Sequence, residues 1–202
     1  HVLEDKKSGG ELYKHLRHSG KKRKKRYGSH DRRGQIKNRI SIEERPSIVD
    51  KKTRVGDWEI DTVIGRNHKG ALVTIVDRVS KVTVIAKVPT KQAEGVTDAT
   101  IKALSPYADW VHTITADNGK QFSGHEAISK ALNTKMYFAH PYSSWERGTN
   151  ENTNGLIRQY VPKGSSFDNI TNKTAKKIMS ALNNRPRKLL NYSTPNEFLY
   201  KK

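Results

Sequence analysis

Three carboxylates stand where they could work on a phosphate backbone. They are Asp61 in Trp58-Glu-Ile-Asp-Thr-Val-Ile, Asp117 in Thr113-Ile-Thr-Ala-Asp-Asn-Gly and Glu151 in Gly148-Thr-Asn-Glu-Asn-Thr-Asn-Gly, separated by 56 and 34 positions. Breaking or transferring a phosphodiester needs an activated oxygen nucleophile, a stabilised pentavalent phosphorus and help for the leaving oxygen. Two hard cations held by carboxylates can serve all three needs, and oxygen ligands suit Mg²⁺ or Mn²⁺. The absence of cysteine excludes disulfides and thiolate metal sites, and the eight histidines show no close zinc spacing. Composition does not choose the acids, because Asp57, Glu59, Asp77, Asp98, Asp109, Glu126 and Glu146 all compete with the three.

Charge supplies the partner. The 202 residues carry 39 Lys and Arg against 20 Asp and Glu, a formal net charge of +19. Residues 1–54 hold 18 basic and 7 acidic side chains, and the remaining residues hold 21 and 13. Each part should therefore attract a polyanion by itself, and nucleic acid is the expected partner because neutralised phosphates release counterions. Lys21, Lys22, Arg23, Lys24, Lys25 and Arg26, with Arg32 and Arg33, form a stretch with little to bury that should grip DNA without reading its sequence. No apolar run approaches bilayer-spanning length, so no membrane partner and a cytoplasmic location are expected.

Elements must bring the acids together. Residues 1–54 read as a basic extension with a short helix near Glu11–Arg17 and an arm through Ile40, Ile42, Pro46 and Ile48 that packs on the following domain. Residues 55–202 read as a compact α/β domain. Strands are expected over Trp58–Ile64, Ala71–Val79, Lys81–Val88, Val111–Ala116 and Lys135–Ala139, with helices over Lys91–Leu104, His125–Leu132, Glu151–Tyr160 and Thr174–Asn183. The order βββαβαβα matches a mixed five-stranded RNase H-like sheet with helices on both sides. Asp61 then shares a strand face with Glu59 and Val63, Asp117 follows a strand end, and Glu151 lies in a helix's first turn. Asn154, Gly155 and Arg158 share that helix's face with Glu151.

The flanking residues resemble a known group. Gly56-Asp-Trp-Glu-Ile-Asp-Thr-Val-Ile-Gly, Gly70-Ala-Leu-Val-Thr-Ile-Val-Asp-Arg, Thr115-Ala-Asp-Asn-Gly-Lys-Gln-Phe and Pro141-Tyr-Ser-Ser-Trp-Glu-Arg-Gly-Thr-Asn-Glu-Asn-Thr-Asn-Gly-Leu-Ile-Arg are similar to bacterial DDE transposases with an integrase catalytic core, in particular the insertion-sequence-thirty family. The resemblance implies that Asp61, Asp117 and Glu151 are the catalytic, metal-binding triad. It prefers Glu151 to Glu146 through Gly-x-x-Glu-x-x-Asn, Gly148 to Asn154.

The resemblance also implies two Mg²⁺ ions, with Mn²⁺ as substitute, hydrolysis at element ends, and attack of the freed 3′-hydroxyl on target DNA. A complex of at least two copies is implied as well. His140, Tyr142, Trp145, Asn150, Asn154 and Arg158 would line the strand path, while Asn118 and Lys120 would orient phosphate. An N-terminal helix-turn-helix that reads element ends is not recognisable here, and the sequence starts at His1, so a longer parent chain is expected. The other readings are a metal-dependent nuclease that cuts without joining and a non-catalytic DNA-binding module.

Overall fold

The structure, a computed structural model, describes residues 1–15 and 36–200. The chain divides into two compact units, 1–34 and 35–202. In the first, a helix α1 (Val2–Lys7) precedes a 3₁₀ turn over Leu12–His15, and Lys6 Nζ sits 4.1 Å from the centroid of the Tyr13 ring. The helix expected near Glu11–Arg17 is thus only this short turn within the described residues, and α1 was not anticipated. The basic residues Lys21–Arg26, Arg32 and Arg33 lie outside the described residues.

The second unit holds the expected sheet and one more strand. In chain order its elements are β1 (Ile40–Ser41), α2 (Ile48–Lys51), β2 (Asp57–Ile64), β3 (Ala71–Asp77), β4 (Thr83–Val88), α3 (Ala93–Leu104), β5 (Thr113–Ala116), α4 (His125–Ala131), β6 (Lys135–Phe138), α5 (Gly148–Ile157), α6 (Asn172–Asn183) and α7 (Pro195–Tyr200). The sheet order is β1-β6-β5-β2-β3-β4. β2, β3 and β4 form the antiparallel meander, while β5 joins β2, and β6 joins β5, in parallel.

The additional strand, β1, pairs in parallel with Tyr137 and Phe138. It comes from the arm, whose Ile36, Ile42 and Val49 are buried and whose Arg45 donates to Thr115 Oγ1 at 3.0 Å. The arm thus packs on the core and lies within the compact unit 35–202.

Alternation along the strands splits the core in two. Trp58, Ile60, Val73, Ile75 and Ile114 pack with Val96, Leu104 and Ile128 from α3 and α4 on one face. Val63, Leu72 and Ile85 pack with Ile157, Phe167, Ile178 and Leu182 on the face of α5 and α6. Most competing acids now have structural partners. Asp57 is buried against Arg54 and Thr113, and Glu126 accepts from Asn38 at 3.0 Å. Asp77 accepts from the backbone amides of Gly56 and Ser80, which ties the β3–β4 turn to the start of β2.

β4 is the sheet's edge, and α6 covers it. Asn183 completes the cover as a substitute strand: its Oδ1 accepts from Thr83 N–H at 2.8 Å and its Nδ2 donates to Thr83 C=O at 2.9 Å, both groups being buried. Asn183→Leu should lower the unfolding free energy by about 1–3 kcal/mol for each backbone group it orphans. Urea denaturation checks this, and an unchanged midpoint would show that the edge needs no amide cover.

Candidate active site

The register of β2 and β5 puts two of the three acids side by side. Glu59 pairs with Thr115, so two residues further on, across neighbouring parallel strands and on the α5 face, Asp61 stands beside Asp117. One guanidinium bridges them: Arg147 Nη1 lies 3.3 Å from Asp61 Oδ2, and Arg147 Nη2 lies 3.6 Å from Asp117 Oδ2. The remaining oxygens are oriented locally. Asp61 Oδ1 accepts from Thr62 N–H at 2.7 Å and Asp117 Oδ1 from Gly119 N–H at 2.9 Å. Burial pushes the Asp61 carboxyl above the usual range, Arg147 pulls it back, and the Asp117 charge pushes it up again. The pair is a site that asks for a cation.

Glu151 comes from α5, a helix that its own sequence barely supports. Gly148, Thr149, Asn150, Asn152, Thr153, Asn154 and Gly155 are all weak helix formers. Tertiary hydrogen bonds replace propensity. Asn150 N–H donates to Glu59 Oε2 at 2.8 Å, and Asn150 Nδ2 donates to the carbonyls of Glu59 and Thr74 at 2.9 and 3.0 Å. One turn later Asn154 Oδ1 accepts from Thr74 Oγ1 at 2.8 Å, and its Nδ2 donates to Asp61 Oδ2 at 3.0 Å.

This ladder seats Glu151 in the first turn, exposed, its carboxylate making no hydrogen bond or ion pair with another described residue. No group of three or more His, Asp or Glu side chains among the described residues is close enough to hold a metal ion. The structure thus brings Asp61 and Asp117 together, with Arg147 between them, and does not close Glu151 onto the pair. Sequence reasoning missed Arg147. Its signal was its place, four residues before Glu151 in the segment with the most specific resemblance.

The other expected contacts divide. Asn150 was expected on the strand path, but it is 0% exposed and every polar group of its side chain is satisfied internally. It anchors α5 and cannot touch DNA. Arg158 is half-buried and donates to Ile64 C=O at 3.2 Å, tying α5 to the end of β2, and burial lowers its pKa. Asn118 bridges Ala139 C=O and the Arg39 guanidinium, so its amide holds the ends of β5 and β6 together beside Asp117. Lys120 is exposed. Trp145 is 73% exposed and Tyr142 is 68% exposed.

Glu59 and Glu146, the nearest rivals of the triad, are both committed elsewhere. Buried Glu59 pairs with Arg78 at 3.3 Å and holds Asn150. Glu146 closes the loop before α5, accepting from His140 N–H at 2.8 Å through Oε2 and facing His140 Nδ1 at 2.8 Å through Oε1. Glu43 faces the other ring nitrogen at 3.3 Å. The Glu146 contact, more than Glu43, raises the His140 pKa. A raised folded pKa means that the charged ring's stabilisation of this loop is complete below the unfolded value and is lost as pH rises through the folded one. An NMR titration should find the His140 midpoint above the ordinary imidazole value, with Glu146→Gln bringing it back down. An unshifted His140 would refute the loop closure.

Comparisons with known proteins agree with this architecture. The integrase core domain model matches residues 53–144, a span that includes Asp61 and Asp117 and ends before Glu151. The transposase of insertion sequence element IS4351 from Bacteroides fragilis is 54% identical over 196 residues, covering 97% of this chain and 60% of the relative. Transposase InsI of element IS30A from Escherichia coli K12 is 38% identical, covering 92% of this chain and 49% of the relative. The chain thus spans only about half to three fifths of the length of these relatives.

Among solved structures, a chain of the simian T-cell lymphotropic virus intasome aligns with a TM-score of 0.60 at 16% identity, over 73% of this chain and 55% of that one. The catalytic core domain of BIV integrase aligns with a TM-score of 0.54 at 20% identity, over 72% of this chain and 95% of that one. These two likenesses establish the RNase H-like integrase-core fold. The family's chemistry depends on metal ions, generally Mg²⁺ or Mn²⁺. In fold and in sequence the chain is thus similar to integrase core domains and to transposases of insertion sequence elements, those of IS4351 and IS30A among them.

Proposed function

We propose that this chain is the catalytic core of a DNA transposase, which hydrolyses the phosphodiester at an element end and joins the freed 3′-hydroxyl to target DNA. The observation that carries the reading is the pairing of Asp61 with Asp117 on adjacent strands beneath the helix that presents Glu151, with one cation already shared by the two aspartates. The donor set fits hard cations, since it consists of carboxylate oxygens with no sulfur or imidazole among them. Asp61, Asp117 and Glu151 would hold two Mg²⁺ ions, for which Mn²⁺ substitutes. Bound there, the ions supply Lewis-acid stabilisation of the charge that builds on the phosphoryl oxygens.

The chain's own residues do the positioning. Arg147 offsets part of the aspartate pair's charge until the site is loaded and must then swing aside. Asn154 orients Asp61 through its 3.0 Å hydrogen bond, and Thr62 N–H fixes the rotamer of the same carboxylate. Exposed Trp145 offers a stacking platform for an unpaired base at the cut end. No nucleophilic side chain is required, because water and then a 3′-hydroxyl attack in line. Two ends are joined in one event, so at least two copies would act together on DNA.

Gly155 supports a strand path along α5. An added Cβ there would meet nothing within 4 Å, so no packing inside the protein calls for glycine. A glycine within a helix costs about 0.5–1 kcal/mol relative to alanine. Close approach by a partner's backbone accounts for that cost, on the exposed face one turn from Glu151.

Two tests follow. With Mg²⁺ and a duplex carrying a pre-cut 3′-hydroxyl end, the protein should yield joined products. Asp117→Asn and Glu151→Gln should each reduce joining by about a hundredfold or more, the scale of losing one charge-stabilising group. Cleavage without joining would make the protein a nuclease, and full activity in either variant would remove that acid from the site. Second, Gly155→Ala should raise the thermal midpoint while weakening joining and DNA binding. Stabilisation with unimpaired joining would take the strand off this face of α5.

A further inference from the structure

Beside α5 lies a separate, cationic pocket, with a cavity of about 290 Å³, that plays no part in the chemistry above. Lys52, Arg78, Lys81 and Arg187 border it, and its one acid, Glu59, is already held by Arg78 and Asn150. Arg78 is 6% exposed, yet its Nε and Nη1 make no hydrogen bond; Nε lies 3.3 Å from Glu59 Oε1 without the alignment for one. Arg187 donates through Nη2 to Leu182 C=O at 3.1 Å and leaves its Nε without a partner. The four basic residues of the lining thus face Glu59 and, through Arg78, Asp50 at 3.5 Å, an excess of positive charge that suits an anionic occupant.

Lys81 adds to the same imbalance. It adopts φ +62° in the β3–β4 turn, a conformation that favours Gly or Asn, and its ammonium is half-buried. Burial first, and then the Lys52 charge, lower its pKa, although Glu59 and Asp77 partly offset this and Nζ donates to Arg78 C=O. The pocket thus gathers more positive charge than the fold neutralises.

The pocket is also continuous with the catalytic face. Gly148, at the start of α5, borders it, and an added Cβ at Gly148 would meet nothing within 4 Å. At 3.6 residues per turn, Gly148 and Gly155 form a bare ridge between the Glu151 face and the pocket face marked by Asn152 and Leu156. Exposed Trp145 stands at the same rim.

We infer that this pocket is a second phosphate site, which seats a phosphodiester of the DNA strand after the strand crosses α5 over Gly148 and Gly155. This rests on the proposed action on DNA. Lys52, Lys81 and Arg187 of the lining would contact the phosphate, Arg78 would add its charge from beneath, and Trp145 would pack against the adjoining base. The site measures where the strand lies relative to the cut, as a second point of grip beyond the reacting phosphate.

The test uses the full 202-residue chain and a fluorescein-labelled duplex with a recessed end, followed by anisotropy over a salt series. The pocket variant is Lys52→Gln/Lys81→Gln/Arg187→Gln; Arg78 stays, because its loss would leave Glu59 buried and unpaired. The control variant, Lys173→Gln/Lys176→Gln/Lys177→Gln on α6, removes the same charge. The pocket variant should bind about tenfold more weakly and lose about 0.9 from the log–log salt slope, the share of one phosphate contact, while the control loses less than half of that. Equal losses in the two variants overturn the pocket and leave the DNA reading standing. A native chain that binds no duplex overturns both. Equal melting temperatures of both variants and the native chain, and recovery of the slope when Lys81 is replaced by Arg instead of Gln, separate lost contact from lost fold.

Discussion

The clamp of Asn150 on Glu59 and Thr74 is the contact on which the catalytic arrangement depends. A helix built from glycine, threonine and asparagine has little tendency to form alone, and its single buried aliphatic anchor, Ile157, lies at its far end. What holds its first turn is a set of fully buried polar bonds from Asn150 to two neighbouring strands. These bonds form in a water-poor setting where a broken one costs more than a formed one contributes, so the arrangement is all-or-none. Glu59 can accept there only because Arg78 balances its charge. The helix that carries Glu151 therefore stands where strands β2 and β3 put it, and nowhere else.

That design explains why the helix is so polar. A conventional amphipathic helix would pack more strongly, but it would cover its outward face with bulky side chains. Here the inward face is held by amides, and the outward face is free to be small: Gly148 and Gly155 leave open space above the backbone. Stability comes from below and access from above. The same economy appears at Asn154, whose amide touches Thr74 with one end and Asp61 with the other, so that one side chain both locks the helix and aims a carboxylate.

Much of this was legible in the residues. The five expected strands and their meander followed from β-branched runs broken at Gly65 and Ser80, whereas the choice of Asp61 and Asp117 among the acids rested on the resemblance of their flanking residues. The sixth strand was not legible, because two residues, Ile40 and Ser41, carry no periodicity and are strand only through the edge they meet. Asn150 was misread for a physical reason: an asparagine in a polar helix looks like a surface ligand, and only burial distinguishes an anchor from a contact. Glu146 could be set aside by pattern alone, but its actual task, closing the loop on His140, needed coordinates. Arg147 was overlooked because a cation in a basic chain draws no notice until it is found between two acids.

The placement of Arg147 follows from electrostatics. Two carboxylates on neighbouring strands repel, and the burial that raises the Asp61 pKa makes the repulsion harder to screen. A folded chain without bound ions needs a substitute cation or a proton there, and the guanidinium answers that need from a turn one residue before α5. It answers poorly. Its contacts of 3.3 and 3.6 Å are longer than those of a well-made charge-assisted bond, and its Nε has no hydrogen-bond partner. A guanidinium held this loosely suits the proposed cation site, since a short bidentate pair would compete with a divalent ion. The turn that delivers Arg147 is itself tied by Glu146 to His140, and it presents Trp145 on its outer side. Under the proposed function, withdrawal of the arginine would move the same short segment that carries Trp145, and so would link loading of the site to engagement of the strand.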